Sequence, residues 1–277
     1  MDASPQRAAF RRLHESGCFV IPNPWDIGTA IMLKQLGFKA LATTSAGFSF
    51  SRGLPDADWA VPRGMALEHI AEIVRATDLP VNADFESGYA RDPEGVAESC
   101  RLCAATGVAG LSIEDHGDSP EEVIYPLDLA VDRIQAAVEA LKGTGVLLTA
   151  RCEAHLFGLP GAQATVLKRL VAYAEAGADV LYAPGLKTAE QIREVVAAVA
   201  PKPVNVIISA PVGLTVDDVA ALGVRRISVG SALARAAWGG FLKAAREIAG
   251  DGTFHALVEA EPFGALNSFF RSHHPQT

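Results

Sequence analysis

Apolar residues along this chain fall into short dense runs, and between the runs they recur every three or four positions. The runs are Phe19–Ile21, Ala40–Thr44, Val81–Asp84, Gly110–Glu114, Val146–Arg151, Val180–Tyr182, Val204–Ile208 and Arg226–Val229. Near-continuous apolar character is what strands buried on both faces show, as in a parallel sheet. The three-to-four spacing predicts helices over Ala66–Ala76, Glu94–Ala105, Leu129–Lys142, Val166–Ala176, Ala189–Val199 and Val216–Ala221. Gly37, Gly107, Gly177 and Gly223 close helical patterns, where a left-handed residue is favoured. Asp92-Pro93-Glu94 and Thr215-Val216-Asp217-Asp218 read as helix starts.

Eight β-α units without a Pro/Ser-rich linker predict one (β/α)8 TIM-type barrel over residues 1–277. A doubly wound sheet is the competitor, but it usually carries a Gly-rich loop after its first strand. Pro22-Asn23-Pro24-Trp25-Asp26 is no such loop. A helical extension is expected over about 240–277. Its aromatics, Phe241, Phe254, Phe263, Phe269 and Phe270, exceed what one closing helix needs, so they are expected to pack on another subunit.

Composition narrows the partners. Hydrophobic residues are 49% of 277, enough for a large core, and the net charge of −8 comes without a Lys/Arg cluster. A nucleic-acid partner, which needs a basic face, is excluded on this reading. No apolar run approaches the ~20 residues of a membrane span, and residues 1–17 lack the apolar centre of a leader. A cytoplasmic protein is expected. Cys100-Arg101-Leu102-Cys103 lies in a helical pattern with no second pair, so it reads as small buried residues rather than a zinc or redox site.

In a barrel the chemistry sits at the C-terminal ends of the strands. Those ends carry Thr44-Ser45-Ala46-Gly47, Asp84-Phe85-Glu86, Glu114-Asp115, Arg151-Cys152-Glu153, Ala183-Pro184-Gly185, Asn205 to Ser209, and Gly230-Ser231. Asp84, Glu86 and Glu114 read as direct or water-mediated ligands of Mg²⁺ or Mn²⁺, because three convergent carboxylates repel unless a cation neutralises them. Each alone would read as a helix cap or a partner of Arg91 or Arg133. Arg151 ends an apolar strand and needs an anion, either a substrate carboxylate or simply Glu153 or Glu114. The Ser45-Ala46-Gly47 N–H groups suit an anion nest. Gly230-Ser231 fits a phosphate site or close helix packing equally. His116 and His155 follow strand ends and border the expected pocket, whereas His69 reads as a helix-surface residue.

Taken together, the ring resembles the isocitrate lyase / phosphoenolpyruvate mutase superfamily. The matching segments are Asn23-Pro24-Trp25-Asp26, Thr44-Ser45-Ala46-Gly47, Gly53-Leu54-Pro55-Asp56, Asp84-Phe85-Glu86-Ser87-Gly88, Ser112-Ile113-Glu114-Asp115, Thr149-Ala150-Arg151-Cys152-Glu153 and Ala174-Glu175-Ala176-Gly177-Ala178-Asp179, in family order. The resemblance implies a barrel whose last helix is exchanged between subunits, commonly in a tetramer, with Mg²⁺ and a 2-oxo-acid or enolate ligand. By motif it implies Asp84 as the nearest Mg²⁺ ligand, Glu86 and Glu114 as ligands through water, and Asp56 on a gating loop. It implies Arg151 as carboxylate clamp, helped by Ser45 and Ala46. The family usually has Asp where Glu86 stands.

The departures bear on the reaction. The isocitrate and methylisocitrate lyases carry a Lys-(Lys/Arg)-Cys-Gly-His loop after the fourth strand. Here the segment after Glu114 runs Asp115-His116-Gly117-Asp118-Ser119-Pro120-Glu121-Glu122-Val123-Ile124-Tyr125, without Cys or Lys. The mutases and phosphonopyruvate hydrolases carry a His after strand six, where this chain has Tyr182-Ala183-Pro184. The expectation is a Mg²⁺-dependent enzyme breaking a C–C bond in an oxaloacetate-like 2-oxo-carboxylate, with the metal stabilising the enolate. Arg151, Asp56 and His116 are its catalytic candidates, with Glu121 and Tyr125 as further bases. Ser45, Ala46, Gly47, Arg151 and Asn205 are expected to bind the substrate. P–C bond chemistry, a non-catalytic 2-oxo-acid binder and an unrelated phosphate-binding barrel are the alternatives.

Overall fold

The computed structural model describes residues 3–57, 59–119 and 122–273. Eight strands form one parallel sheet: β1 (Phe19–Ile21), β2 (Leu41–Ala42), β3 (Val81–Asp84), β4 (Gly110–Glu114), β7 (Leu147–Arg151), β8 (Val180–Tyr182), β9 (Val204–Ile207) and β10 (Arg226–Ser228). Their order is β1-β10-β9-β8-β7-β4-β3-β2. The two edges then meet. Ala42 N–H donates to the Pro22 carbonyl at 3.0 Å, and the Asn23 amide donates to the Thr43 carbonyl at 2.9 Å. Those two bonds close the barrel that the run pattern predicts. A short antiparallel hairpin, β5 (His116–Ser119) and β6 (Glu122–Ile124), fills the loop after β4. No strand was expected there, because its polar sequence lacks an apolar run.

The helices that follow the strands are α2 (Ile27–Gln35), α3 (Ser45–Ser51), α4 (Arg63–Ala76), α5 (Pro93–Ala105), α6 (Leu127–Leu141), α7 (Ala162–Glu175), α8 (Ala189–Val199), α9 (Val216–Ala221) and α10 (Ala232–Asp251). The predicted starts hold: Asp92 accepts from Gly95 N–H, and Thr215 and Asp218 cap each other's backbone. Strand alternation sorts the side chains. In β3, Val81 and Ala83 join the apolar clusters under the helices, while Asn82 and Asp84 line the central cavity. Cys100, Cys103 and Cys152 are free and buried, as the helical reading of the cysteine pair expects.

The bottom of the barrel is sealed by α1 (Ser4–Glu15), an element outside the apolar pattern. Phe10 is fully buried against Ile21, Ala40, Ala42, Ala109 and Leu147. The Arg7 guanidinium donates to the carbonyls of Ala104, Val108 and Thr144 at 2.8–3.0 Å, tying α1 to the αβ connections that lead into β4 and β7. His69 corrects an expectation. It is 5% exposed and stacks on Phe48 with ring centroids 3.8 Å apart, because it lies on the core face of α4 beside Ala66, Ile70 and Ile73.

The C-terminal segment behaves differently. Within α10 only Ala234 is buried, and Leu233, Trp238, Phe241 and Leu242 face outward. A 3-10 turn (His255–Glu259) and α11 (Phe263–His273) follow. Among the described residues no helix is long and apolar enough to cross a membrane.

Phe10 is the largest apolar plug of the barrel floor, so Phe10→Ala leaves a cavity that α1 cannot refill. Urea unfolding should show a loss of about 3–5 kcal/mol, the range for buried Phe truncation. A loss below ~1 kcal/mol would mean that α1 does not seal the barrel.

Candidate active site

The strand ends surround a cavity of about 380 Å³. On one wall Asp84 ends β3 and Asp56 comes from the loop after α3. Arg151 ends β7, Tyr182 ends β8, and Asn205 rises from β9. Sheet register explains the juxtaposition: Glu114 pairs with Arg151, and Arg151 with Tyr182, so their inward side chains sit side by side. The far wall is more apolar, with Leu156, Leu186 and Val212, and carries Lys187 at its rim.

Negative charge dominates the acidic wall. Glu86 is pushed up to about 7, mainly by burial and further by Asp84 and Asp56, against the Tyr89 hydroxyl that donates to it at 2.9 Å. Burial, then the Asp84 charge, raises Asp56. Burial also lifts Glu114 well above the usual carboxylate range, opposed by Arg151 and reinforced by Glu153 and Asp84. Glu86 adopts φ 48°, an uncommon left-handed backbone for a non-glycine residue, in the loop that shapes this wall.

Arg151 is the cation at the centre of that cluster. Its Nε bonds Glu153 and its Nη2 donates to the same carboxylate at 3.0 Å. Its Nη1 lies 3.2 Å from Glu114 and 3.6 Å from Asp84. The guanidinium also covers the Tyr182 ring at 5.2 Å. Burial opposes its charge, but Glu114 and Glu153 hold it firmly protonated. A second buried network supports it. Asp115 accepts from Glu153 N–H at 2.8 Å, from Arg169 at 2.9 Å and from the Tyr173 hydroxyl at 2.6 Å. Arg169 also donates to the Tyr125 carbonyl where the hairpin rejoins the barrel. The Asp84–Gly88 loop is gripped from below by Arg133, whose guanidinium donates to the carbonyls of Ser87, Ala90 and Arg91.

Several expected residues take other places. Ser45 lines the cavity, yet its N–H and hydroxyl both donate to Asp84, at 3.0 and 3.1 Å, so the nest is turned onto a protein carboxylate. Ala46 lines the cavity, but Gly47 does not: its N–H donates to Thr44, and an added Cβ would meet Thr44, Trp25 and Ala234. Its smallness serves packing against α10, which corrects its assignment as a ligand contact. Glu86 and Glu114 stand beside and behind Asp84, facing smaller clefts. His116 stacks on Phe157 at 4.7 Å and lies 4.0 Å from Glu114, outside the cavity lining. His155 bonds Gln163 at 2.7 Å. Tyr125 is buried beneath Arg133, and Glu121 lies outside the described residues. The Val229 and Gly230 N–H groups both donate to Asn23, so that candidate phosphate site is filled from within the chain. Glu153 was expected as a possible protein partner of Arg151, and the two do pair, whereas Asp115, Tyr182, Asn23 and Arg226 were given no role from the sequence. Only their place at a strand end, or on the inward phase of a strand, could have flagged them.

The donor set fits a hard cation. It is all oxygen, and one guanidinium offsets the cluster of Asp56, Asp84, Glu86, Glu114 and Glu153. Among the described residues no three His, Cys, Asp or Glu side chains converge as direct ligands.

A TIM-type barrel with an acidic strand-end cluster around one arginine defines the class. The family model described as phosphoenolpyruvate phosphomutase matches residues 10–249, and the chain belongs to that family of enzymes. An uncharacterised protein of Mycobacterium tuberculosis H37Rv is 34% identical over 225 residues, covering 80% of this chain and 82% of its own. A 2-methylisocitrate lyase of Shewanella oneidensis is 31% identical over 171 residues, 59% of this chain and 57% of the lyase. A solved structure from Burkholderia cenocepacia J2315, provisionally assigned as a lyase/mutase, superposes with a TM-score of 0.92 at 48% identity, covering 99% of this chain and 98% of that one. A phosphonopyruvate hydrolase in complex with oxalate and Mg²⁺ superposes with a TM-score of 0.83 at 25% identity, covering 96% of both chains.

The raised Glu86 fixes a pH dependence. Its folded pKa of about 7 lies above the ordinary value of 4.5, so the fold binds the proton more tightly than the unfolded chain does. That contribution is complete below pH ~4.5 and is lost as pH rises through about 7. In chelator-treated protein, Glu86→Gln should flatten the decline in Tm between pH 5 and 8. An unchanged slope would remove Glu86 as its source.

Proposed function

We propose that this protein is a Mg²⁺-dependent enzyme that acts on a small 2-oxo-carboxylate and breaks a C–C bond in it, as a lyase or decarboxylase of an oxaloacetate-like acid. One observation carries the reading: carboxylates from separate strand ends gather beside one arginine at the mouth of a barrel cavity. The hydrolase neighbour adds support, because oxalate offers the same pair of adjacent oxygens as a 2-oxo-carboxylate.

Asp84 is the group that would hold the ion most directly, with Glu86, Glu114 and Asp56 around its water. When bound, Mg²⁺ supplies positive charge where the substrate's oxo and carboxylate oxygens become more negative. The protein's residues do the rest. Arg151 orients the carboxylate, with the Ala46 backbone beside it in the cavity lining, while Ser45 holds Asp84 in place. Arg151 shares its donors with Glu114 and Glu153, so it is held in place before a ligand arrives, which is what pre-organised charge requires. Asp56 faces the cavity and holds its proton more tightly than an ordinary carboxyl, which suits it to proton transfer at the substrate. It is better placed for this than His116, which lies outside the lining.

The outward apolar face of α10 and the C-terminal aromatics fit a homo-oligomer, a dimer or tetramer, with this segment packed on a neighbouring copy. Trp238 and Phe241 meet at 5.5 Å on that face. Phe241→Ser should lower the mass seen by sedimentation while the wild type sediments as an oligomer. A monomeric wild type would contradict the assembly.

Asp84→Ala should abolish Mg²⁺-dependent ligand binding in calorimetry and reduce turnover by about 10²–10³-fold, the scale of losing a principal electrostatic group. Retained Mg²⁺ dependence in that variant would sink the metal assignment. Assays with oxaloacetate and phosphonopyruvate separate the reactions. Pyruvate and CO₂, or oxalate and acetate, from oxaloacetate support the C–C reading. Phosphate or phosphoenolpyruvate from phosphonopyruvate would replace it with P–C chemistry.

A further inference from the structure

Below the acidic ring the barrel is polar where apolar layers are usual. Asn82, Ser112, Asn205, Ser228 and Arg226 all line the lower part of the cavity. Arg226 opens β10, and strand alternation aims it at the barrel axis. Arg225, one residue earlier, turns outward and donates to the Gly17 carbonyl at 3.1 Å.

Arg226 is 3% exposed and its partners are neutral. Nε donates to Asn205 at 2.8 Å and Nη2 to Thr149 at 2.9 Å. Nη1 lies 3.4 Å from His14 Nε2. His14 Nδ1 sits 2.8 Å from the Phe10 carbonyl, which places the ring proton on Nδ1 and leaves Nε2 to accept. Burial and the Arg226 charge lower the His14 pKa to about 3, so this partner stays uncharged.

Among the described residues no carboxylate forms an ion pair with Arg226. Arg151, the other arginine in the cavity lining, is paired with Glu153, Glu114 and Asp84. A guanidinium carries five N–H donors, of which three are engaged here. Burying a cation without an anion is costly, and burial indeed pulls the Arg226 pKa down to about 10. The cavity is thus polarised, with carboxylates at its mouth and one uncompensated cation at its floor.

We propose that Arg226, with Asn205 and Ser228, forms an anion subsite on the cavity floor that receives the distal carboxylate of a 2-oxo dicarboxylate. The proposal rests on the reading that the 2-oxo-carboxylate head binds near Asp84, and it adds the residues that hold the second carboxylate. Asn205 links the two partners, since its amide donates to Ser228 at 3.0 Å while its oxygen accepts from Arg226. An anion arriving at the floor meets donors that are already fixed, which limits the entropy lost on binding. The same charge discriminates against an uncharged tail of equal size, which would leave the guanidinium desolvated and unpaired.

Calorimetry with the Mg²⁺-loaded full chain tests this. Pyruvate supplies the head alone, and 3,3-difluorooxaloacetate, checked intact by NMR, supplies head and tail. The wild type should bind the dicarboxylate at least tenfold more tightly. In Arg226→Gln that ratio should collapse towards one, and in Arg226→Lys, which keeps a cation, part of it should survive. An Arg226→Gln variant that retains the full ratio, or a wild type without preference, would overturn the subsite. If Arg226→Gln fails to fold, the lysine variant decides, because a purely structural arginine predicts no change in its ratio. A wild type that binds neither ligand would instead overturn the reading of the head site.

Discussion

The mutual repulsion of buried carboxylates, held in check by Arg151, is the constraint on which the rest of this structure depends. Asp84, Glu114 and Glu153 all lie within bonding or near-bonding reach of one guanidinium. Burial raises the pKa of both glutamates, so the fold holds these groups against their own tendency to take up protons. Such a cluster is poor architecture for stability alone, since buried ion pairs rarely repay their desolvation. It is good architecture for a cation that arrives from solvent. The supports are arranged accordingly: Asp115, Arg169 and Tyr173 fix Glu153 and the hairpin, while Arg133 fixes the loop that carries Glu86.

The barrel was legible because its strands are covered on both faces. All eight apolar runs match strands of the sheet, and the capping residues Asp92 and Thr215 sit where helices begin. What was not legible was made of polar sequence or of irregular spacing. α1 contributes a single fully buried aromatic, Phe10, to a floor built by other elements. The β5–β6 hairpin is polar, and α3 begins in the short Ser45-Ala46-Gly47 stretch, which was read as an anion nest rather than a helix.

The site was legible at its centre and less so at its edges. Strand-end position and charge pointed to Asp84, Glu86, Glu114 and Arg151 as candidates; Arg151 lies beside Asp84 and Glu114, while Glu86 faces a neighbouring cleft. Position in sequence could not reveal how hydrogen bonds are shared out. Ser45 bonds Asp84 and Gly230 bonds Asn23, so two apparent anion nests serve the protein's own oxygens. His116 follows a strand end but is drawn aside by the hairpin and by Phe157. Arg226 was hidden by its neighbour: two adjacent arginines look like surface charge until the strand phase turns one of them inward.

A crystal structure of the full chain soaked with Mn²⁺ and oxalate tests the central claim most directly. Anomalous density should mark one cation bonded to the Asp84 carboxylate, with oxalate completing its shell and waters bridging to Glu86 and Glu114. A cation elsewhere, or oxalate seated at Gly230 with no density at Asp84, would contradict the account.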